Sequence, residues 1–448
     1  MAAVTGHWRN WAGTQEASGI EIVHPHDVEE VAGLVRAATS GGRRVKAIGA
    51  GHSFTGIGSP EDVQVVLDRM TGVEAASTET GLVTVRAGTP LHQLNDELAR
   101  LGLAMTNLGD IDVQTISGAI STGTHGTGKR FPGLGAQVAG LEMVVADGSV
   151  VSCSADEEPE LWSAARVGLG ALGLVTAVTL QTVPAFAMRA EEGPMGLDEL
   201  LARFDELADT TDHFEAYWFP HTQRAFVKRN TRLAAGEGST PLPRWPLPRW
   251  REWLDDEFLA NTVFGWTIEV GKRLPSTVPP LNRFAAWAVG SRTFTDRSDR
   301  VFTSPRRVRF CEMEYAVPQE AATEVIAEVV GVIERSGMHI SFPVELRVAA
   351  ADDIPLSTAA DRDGAYLAFH LPAATDYRRY FSLVASVLDR YAGRPHWGKL
   401  HDLDAETLRG RYPRFDEFLA VRDRVDPTGV WSNGYLDRVL GPPPARKA

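Results

Sequence analysis

Cysteine is nearly absent from this chain of 448 residues: Cys153 and Cys311 stand far apart, each in or beside an apolar, strand-like run. Two such thiols give no disulfide framework and read as buried side chains. Basic excess is missing too. The formal net charge is −13 and no Lys/Arg-rich run offsets it, which argues against nucleic acid as a partner. No run of 18 uncharged apolar residues occurs, so no membrane span is expected. The stretch Met1–Trp8 has no basic segment leading into an apolar one; no secretory leader is read there, and a cytoplasmic location follows by default. The twelve histidines include no His-Glu-x-x-His, and His24-Pro25-His26 lacks clustered partners, so no metal is expected.

What is present is the texture of a globular protein, 44% hydrophobic and 23% charged, long enough for two domains. From Ile20 to about Pro184, strands and helices alternate. Ile20–Val23, Val65–Asp68 and Leu82–Arg86 read as strands, with helices from His26 through Ala38 and from Pro90 through about Leu101. Asp147-Gly148 marks a hairpin turn between Val144–Ala146 and Val150–Ser152. From Ala185 to Asp402 the texture changes. Asp212–Phe219 and Arg309–Tyr315 alternate like strands lying on a sheet, and Gln319–Ser336 and Tyr377–Tyr391 read as helices. The repeat at 241–250 is too rich in proline for helix or central strand and reads as an extended surface crossover.

Three small-residue segments stand out. Val45-Lys46-Ala47-Ile48-Gly49-Ala50-Gly51-His52-Ser53-Phe54 is a strand breaking into a turn where backbone can approach a ligand closely, followed by an imidazole. Asn107-Leu108-Gly109-Asp110 leads into Thr115-Ile116-Ser117-Gly118-Ala119-Ile120-Ser121-Thr122-Gly123-Thr124-His125-Gly126-Thr127-Gly128, a hydroxyl- and N–H-rich surface with little side chain to bury. Gly168-Leu169-Gly170-Ala171-Leu172-Gly173 matches the dinucleotide fingerprint literally. Its flanks are reversed, however: helix-like Pro159–Val167 before and strand-like Leu174–Leu180 after, with Glu191 and Glu192 in loop-like sequence. A nicotinamide site of the Rossmann kind is therefore not read here.

The Gly-x-Gly-His-Ser turn and the Ser121–Gly128 segment resemble the flavin-binding half of the aldonolactone oxidases, within the vanillyl-alcohol-oxidase superfamily. So do Phe342-Pro343-Val344-Glu345-Leu346-Arg347, Arg394-Pro395-His396-Trp397-Gly398-Lys399 and Asp426–Leu436, from about Trp11 to Leu440 in all. The resemblance implies an α+β, two-domain FAD-binding fold of the vanillyl-alcohol-oxidase type: an FAD domain at 1–184, a sheet-plus-helices substrate cap at 185–402, and a segment 403–448 packing back on the FAD domain. It implies FAD contacts from Gly49, Ala50, Gly51, His52, Ser53, Phe54, Gly109, Ser117, Gly118, Ser121, Thr122, Gly123, Thr124, His125, Gly126, Val175 and His396, with a covalent bond through His52. His125 is balanced between a polar contact to the flavin and a core histidine, and His396 between the site and a structural hydrogen bond.

Oxidising a secondary alcohol beside a lactone carbonyl requires a hydride acceptor, a grip on the hydroxyl and control of the charge left on the cofactor. Glu345 and Arg347, two apart on a strand, would project from one face. On spacing alone the pair reads first as an exposed salt bridge; the resemblance assigns it to the site, with Lys399 as a second fixed positive charge. The implied reaction is oxidation of a sugar-derived 1,4-lactone, electrons then passing to O2 or another acceptor. An alditol (polyol) oxidase would use the same three residues, and a non-catalytic flavin-binding protein is the rival from another class. Leu371-Pro372, after His370, would make one pocket wall more apolar than in that family.

Overall fold

The structure, a computed structural model, describes residues 4–233, 264–304 and 307–444, together with Pro246. The proline-rich repeat at 241–250 lies outside them, Pro246 apart.

Among the described residues, two larger sheets and a two-stranded pair, Leu103–Ala104 with Val183–Pro184, form the amino-terminal part. One has four strands in the order Val4–Arg9, Glu16–Val23, Val63–Val65, Val45–Ala47, the first pair antiparallel and the others parallel. Helix Val28–Ser40 packs Val31, Ala32, Val35 and Ala38 into the core, and Asp27 caps it by accepting from the Glu30 N–H. The second sheet is antiparallel: Val73–Ala76, Leu82–Arg86, Leu174–Gln181, Val138–Val144, Val150–Ser154. Its last two strands form the Asp147-Gly148 hairpin, with Val144 opposite Val150 and Gly148 at φ +81°. The strand expected at Val65–Asp68 sits earlier, at Val63–Val65, because after the Val66 N–H bonds the Val23 carbonyl the chain turns away.

Helix Pro159–Ala165 precedes the glycine-rich fingerprint and strand Leu174–Gln181 follows it, the reverse of a Rossmann unit. Glu191 and Glu192 do not lie in a loop. They belong to strand Ala187–Gly196, whose pairing with Arg292–Arg297 ends at Glu192, so Gly193-Pro194 is matched on one side only, where proline is tolerated. The run 115–128 contains a short regular element. Ile116–Ser121 is a helix: Ile116, Ala119 and Ile120, spaced for one face, are buried, and Thr115 caps it through the Gly118 N–H.

The third sheet is antiparallel and eight-stranded, in the order Arg292–Arg297, Ala187–Gly196, Arg224–Arg232, His213–Trp218, Val344–Ala349, Gly364–Pro372, Phe310–Pro318, Arg394–Pro395. Its central strands alternate strictly. Phe214, Ala216, Trp218, Val344, Leu346, Val348, Leu367, Phe369, Leu371, Cys311, Met313 and Tyr315 enter a core with helices Leu197–Thr210, Ala322–Arg335 and Arg378–Leu388. The opposite face carries Tyr217, Glu345, Arg347, Tyr366, His370, Glu312 and Glu314.

Beyond this sheet the chain returns to the amino-terminal part. Leu408, Phe415, Phe418 and Val439 share a core with Leu91, Leu94 and Val178. The Val45 N–H bonds the Val430 carbonyl at 2.8 Å. Asp426 accepts from the N–H groups of Gly429, Val430 and Trp431, and Asn433 donates to the carbonyls of Gly56 and Ser59. Both cysteines are buried free thiols, pushed up to about 12 (Cys153) and about 11 (Cys311) by burial. Among the described residues no helix is long and apolar enough to cross a membrane, and no group of three or more His, Cys, Asp or Glu is placed to hold a metal.

Candidate active site

Two cavities meet at His52, Ser53, Gln114 and Thr122, which line both. The larger, about 480 Å³, is lined by residues from several places, among them Lys46–Ser53, Val66–Thr71, Gln114–Thr122, Leu169–Val175 and Trp431. Gly49, Ala50, Gly51, Ser117, Gly118, Ser121 and Val175 all face it. A Cβ at Gly49 would drive into Thr115 Oγ1, and Gly51 sits at φ +67°, so the turn needs glycine at both positions. Gly123 and Gly126 line neither cavity. A side chain on Gly126 would strike the Leu108 carbonyl and Asn107, and Gly123 sits at φ +76°.

This cavity has polar groups without partners. Trp431 Nε1 and Gln114 Oε1 are buried with no hydrogen bond. Lys46 is buried on its wall, donating to the Gly170 carbonyl at 3.0 Å, and burial lowers its ammonium to about 7. An unpaired indole donor, an unpaired amide acceptor and a buried lysine suit a polar, hydrogen-bonding occupant better than an apolar one.

The smaller cavity, about 170 Å³, lies over the polar face of the eight-stranded sheet, with Phe54, Gly109, Thr124, His125, His396 and Lys399 on its other walls. Its size is well under the roughly 300–1,000 Å³ of drug-sized sites, so it suits a small ligand. Glu345 and Arg347 project together, as their spacing predicts, and pair with each other. Sequence reasoning missed what surrounds them. Arg347 Nε also bonds Glu215 Oε2 at 3.1 Å, Lys228 holds Glu215 Oε1 at 2.7 Å, and the Tyr217 hydroxyl lies 3.2 Å from Glu345 and 3.3 Å from Glu215. Burial pushes Glu345 above its ordinary range, helped by Glu215 and Asp110 against Arg347 and His370. Burial also raises Glu215, but Lys228 and Arg347 outweigh it and hold that carboxyl low. Two carboxylates a few ångströms apart are thus driven in opposite directions.

Lys399 is held in place by acids that the sequence did not announce. It is paired with Glu312 and lies 3.9 Å from Glu314, which His125 Nε2 also holds at 2.6 Å. Burial raises Glu314, yet His125 and Lys399 outweigh it and keep this carboxyl well below its usual range. The missed acids left a trace in the sequence: Glu312-Met313-Glu314 and Glu215-Ala216-Tyr217 put polar groups two apart within apolar strands. Leu371 is a correction too. It points into the core, because its neighbour His370 takes the pocket face; the wall is not more apolar on its account.

His52 stacks on Trp11, ring centroids 5.0 Å apart; burial and the charge of Lys399 lower it to about 4. His396 accepts from the Gly398 N–H, and burial likewise lowers it to about 4. With His213 (about 4) and His401 (about 3), burial makes a set of neutral histidines. Each has a folded pKa below its unfolded value near 6.5, so its contribution is complete above that pH and lost as pH falls towards 4. Urea denaturation at pH 7 and pH 5 should show the fold weakening by up to about 1.4 kcal/mol per pH unit for each histidine. Equal stability at the two pH values would contradict these neutral burials.

Cholesterol oxidase from B. sterolicum superposes with a TM-score of 0.79 at 18% identity, over 98% of this chain and 97% of that one, a likeness of fold. Residues 21–154 match the FAD binding domain family. The architecture is the two-domain FAD-binding fold of the vanillyl-alcohol-oxidase type. Within that class the chain belongs to the D-arabinono-1,4-lactone oxidase family, which matches residues 178–439. An L-gulono-1,4-lactone dehydrogenase of Mycobacterium tuberculosis is 42% identical over 435 residues, covering 97% of this chain and 99% of its own. An L-gulonolactone oxidase of Bos taurus is 31% identical, with 97% and 98% covered.

Proposed function

We propose that this protein uses FAD to oxidise a CH–OH group of a sugar-derived 1,4-lactone. The carrying observation is that the glycine-lined cavity shares His52 with the wall of a small charged pocket presenting Glu345 and Arg347. FAD, when bound, supplies the hydride acceptor. Gly49–Ser53, Ser117, Gly118, Ser121 and Val175 would hold it through backbone and hydroxyl groups, with Lys46 and Trp431 offering donors to its polar parts. Glu345 takes the hydroxyl proton, since a carboxylate held above its ordinary range is a better base near neutrality. Arg347 fixes Glu345 and places positive charge at the pocket. Lys399, tied to Glu312, orients substrate oxygens rather than adding net charge. We divide the chain into an FAD-binding part at 1–184, a cap at 185–402 that brings Glu345 and Arg347, and a return segment at 403–448. The Val45–Val430 bond and the shared core support the last of these. Electrons then leave to O2 or another acceptor.

Anaerobic addition of aldono-1,4-lactones should bleach the flavin, with polyols as the comparison. Recovery of colour in air, against recovery only with an added dye, separates O2 from another acceptor. Failure of every lactone to bleach it would sink the reading. His52 carries a further proposal: its neutral ring, at the junction of the cavities, is the group to which the flavin is covalently bound. Acid-precipitated protein should stay yellow, and His52→Ala should release all flavin to the supernatant. Colourless precipitate from the unmodified protein would refute the bond.

A further inference from the structure

We propose that Glu215 is a positioning residue: by anchoring Arg347 it decides that Glu345, and not itself, exchanges the substrate proton. The inference deepens the functional reading above and rests on it. Glu215 does not line the pocket; it lies behind Arg347 on strand His213–Trp218, directly opposite Arg347 in register. Both of its oxygens are engaged by cations, Oε1 by Lys228 and Oε2 by Arg347 Nε. The guanidinium is thereby gripped along one edge and offers Nη2 to Glu345. Tyr217, directly opposite Glu345, lies between the two carboxylates and has one proton for both.

A structural ion pair needs no second acid here, and burying one is costly unless its charge is used. The use is asymmetry. Two cations satisfy Glu215 and keep it ionised, while Glu345 has only a share of Arg347. The groups facing Glu345 are Arg347 on its own strand, Glu215 and Tyr217 on one neighbouring strand, His370 on the other, and Asp110 from the loop; Lys228 acts one strand further, through Glu215. Opposite drives on the two carboxyls agree with this division.

The test follows the infrared carbonyl band of protonated Glu345 against pH in the FAD-loaded full chain without substrate, the band being assigned by its loss in E345Q. E215Q removes a like charge and frees Arg347, so the midpoint should fall by about one pH unit or more. K228M removes the cation that satisfies Glu215 and draws Arg347 towards it, so the midpoint should rise; K228R should restore it. If E215Q does not fold, K228M and K228R decide. Unmoved midpoints, or no Glu345 band at any pH the fold survives, would overturn the assignment. Lactone bleaching of the unmodified protein is a separate arm: its failure sinks the reaction while the band shifts still judge Glu215.

Discussion

Glu345→Gln is expected to slow lactone-driven flavin reduction by about 10²–10⁴, the range of a positioned acid–base group. The amide keeps the shape and removes the charge. In the unmodified protein the acid limb of the rate profile should lie above the ordinary glutamate value of about 4.3, because burial, Glu215 and Asp110 raise this carboxyl. The same shift fixes the stability outcome. A carboxyl whose folded pKa is raised opposes folding once pH exceeds its unfolded value, so at pH 7 the neutral amide relieves a cost. The melting temperature should hold or rise while the rate collapses. A variant reducing flavin at the normal rate would remove Glu345 from the reaction and leave Lys399 as the leading candidate.

Arg347→Ala should lose both activity and fold. The guanidinium is buried between two carboxylates, and removing one partner of such a pair costs about 3–5 kcal/mol. Rate should fall by about 10²–10³, as for loss of a single electrostatic donor. The two losses separate by pH. With the cation gone, both carboxyls rise, Glu345 further above its ordinary range and Glu215 up from its lowered position, so their cost is present at pH 7 and fades as they protonate on acidification. The stability deficit against the unmodified protein should shrink between pH 7 and pH 5, whereas the rate deficit should not. Arg347→Lys should recover only part, because a point charge cannot reach both acids as the planar fork does. A deficit independent of pH would show that the carboxylates are not left bare.

Much of this was legible in the chain. The Gly49-Ala50-Gly51-His52 turn declared a close backbone approach, Asp147-Gly148 a hairpin, and the order helix–glycines–strand at 159–180 ruled out a Rossmann unit. The Glu345/Arg347 spacing put both on one face. Glu215, Glu312 and Glu314 escaped because alternation shows that two faces differ, not which one meets a cavity; an acid outside a sheet and an acid inside a pocket have the same period. Leu371 misled for the complementary reason: adjacency to His370 suggests a shared wall, whereas the pleat sends neighbours apart. The helix at Ile116–Ser121 hid in a run of poor helix formers because burial of Ile116, Ala119 and Ile120, with the Thr115 cap, overrides propensity.

The bond from Val45 to Val430, the carbonyls of Gly56 and Ser59 held by Asn433, and Trp431 on the cofactor cavity have a consequence for the order of events during biosynthesis. Translation delivers the Gly49–His52 turn hundreds of residues before the wall that closes over it. A nascent chain still short of Asp426 lacks Trp431 on that cavity and the Asn433 clasp on the Gly56–Ser59 segment, so flavin retention is expected only once synthesis has passed Asn433. A polypeptide ended before Asp426 should accumulate colourless, however well its upstream sheets have formed.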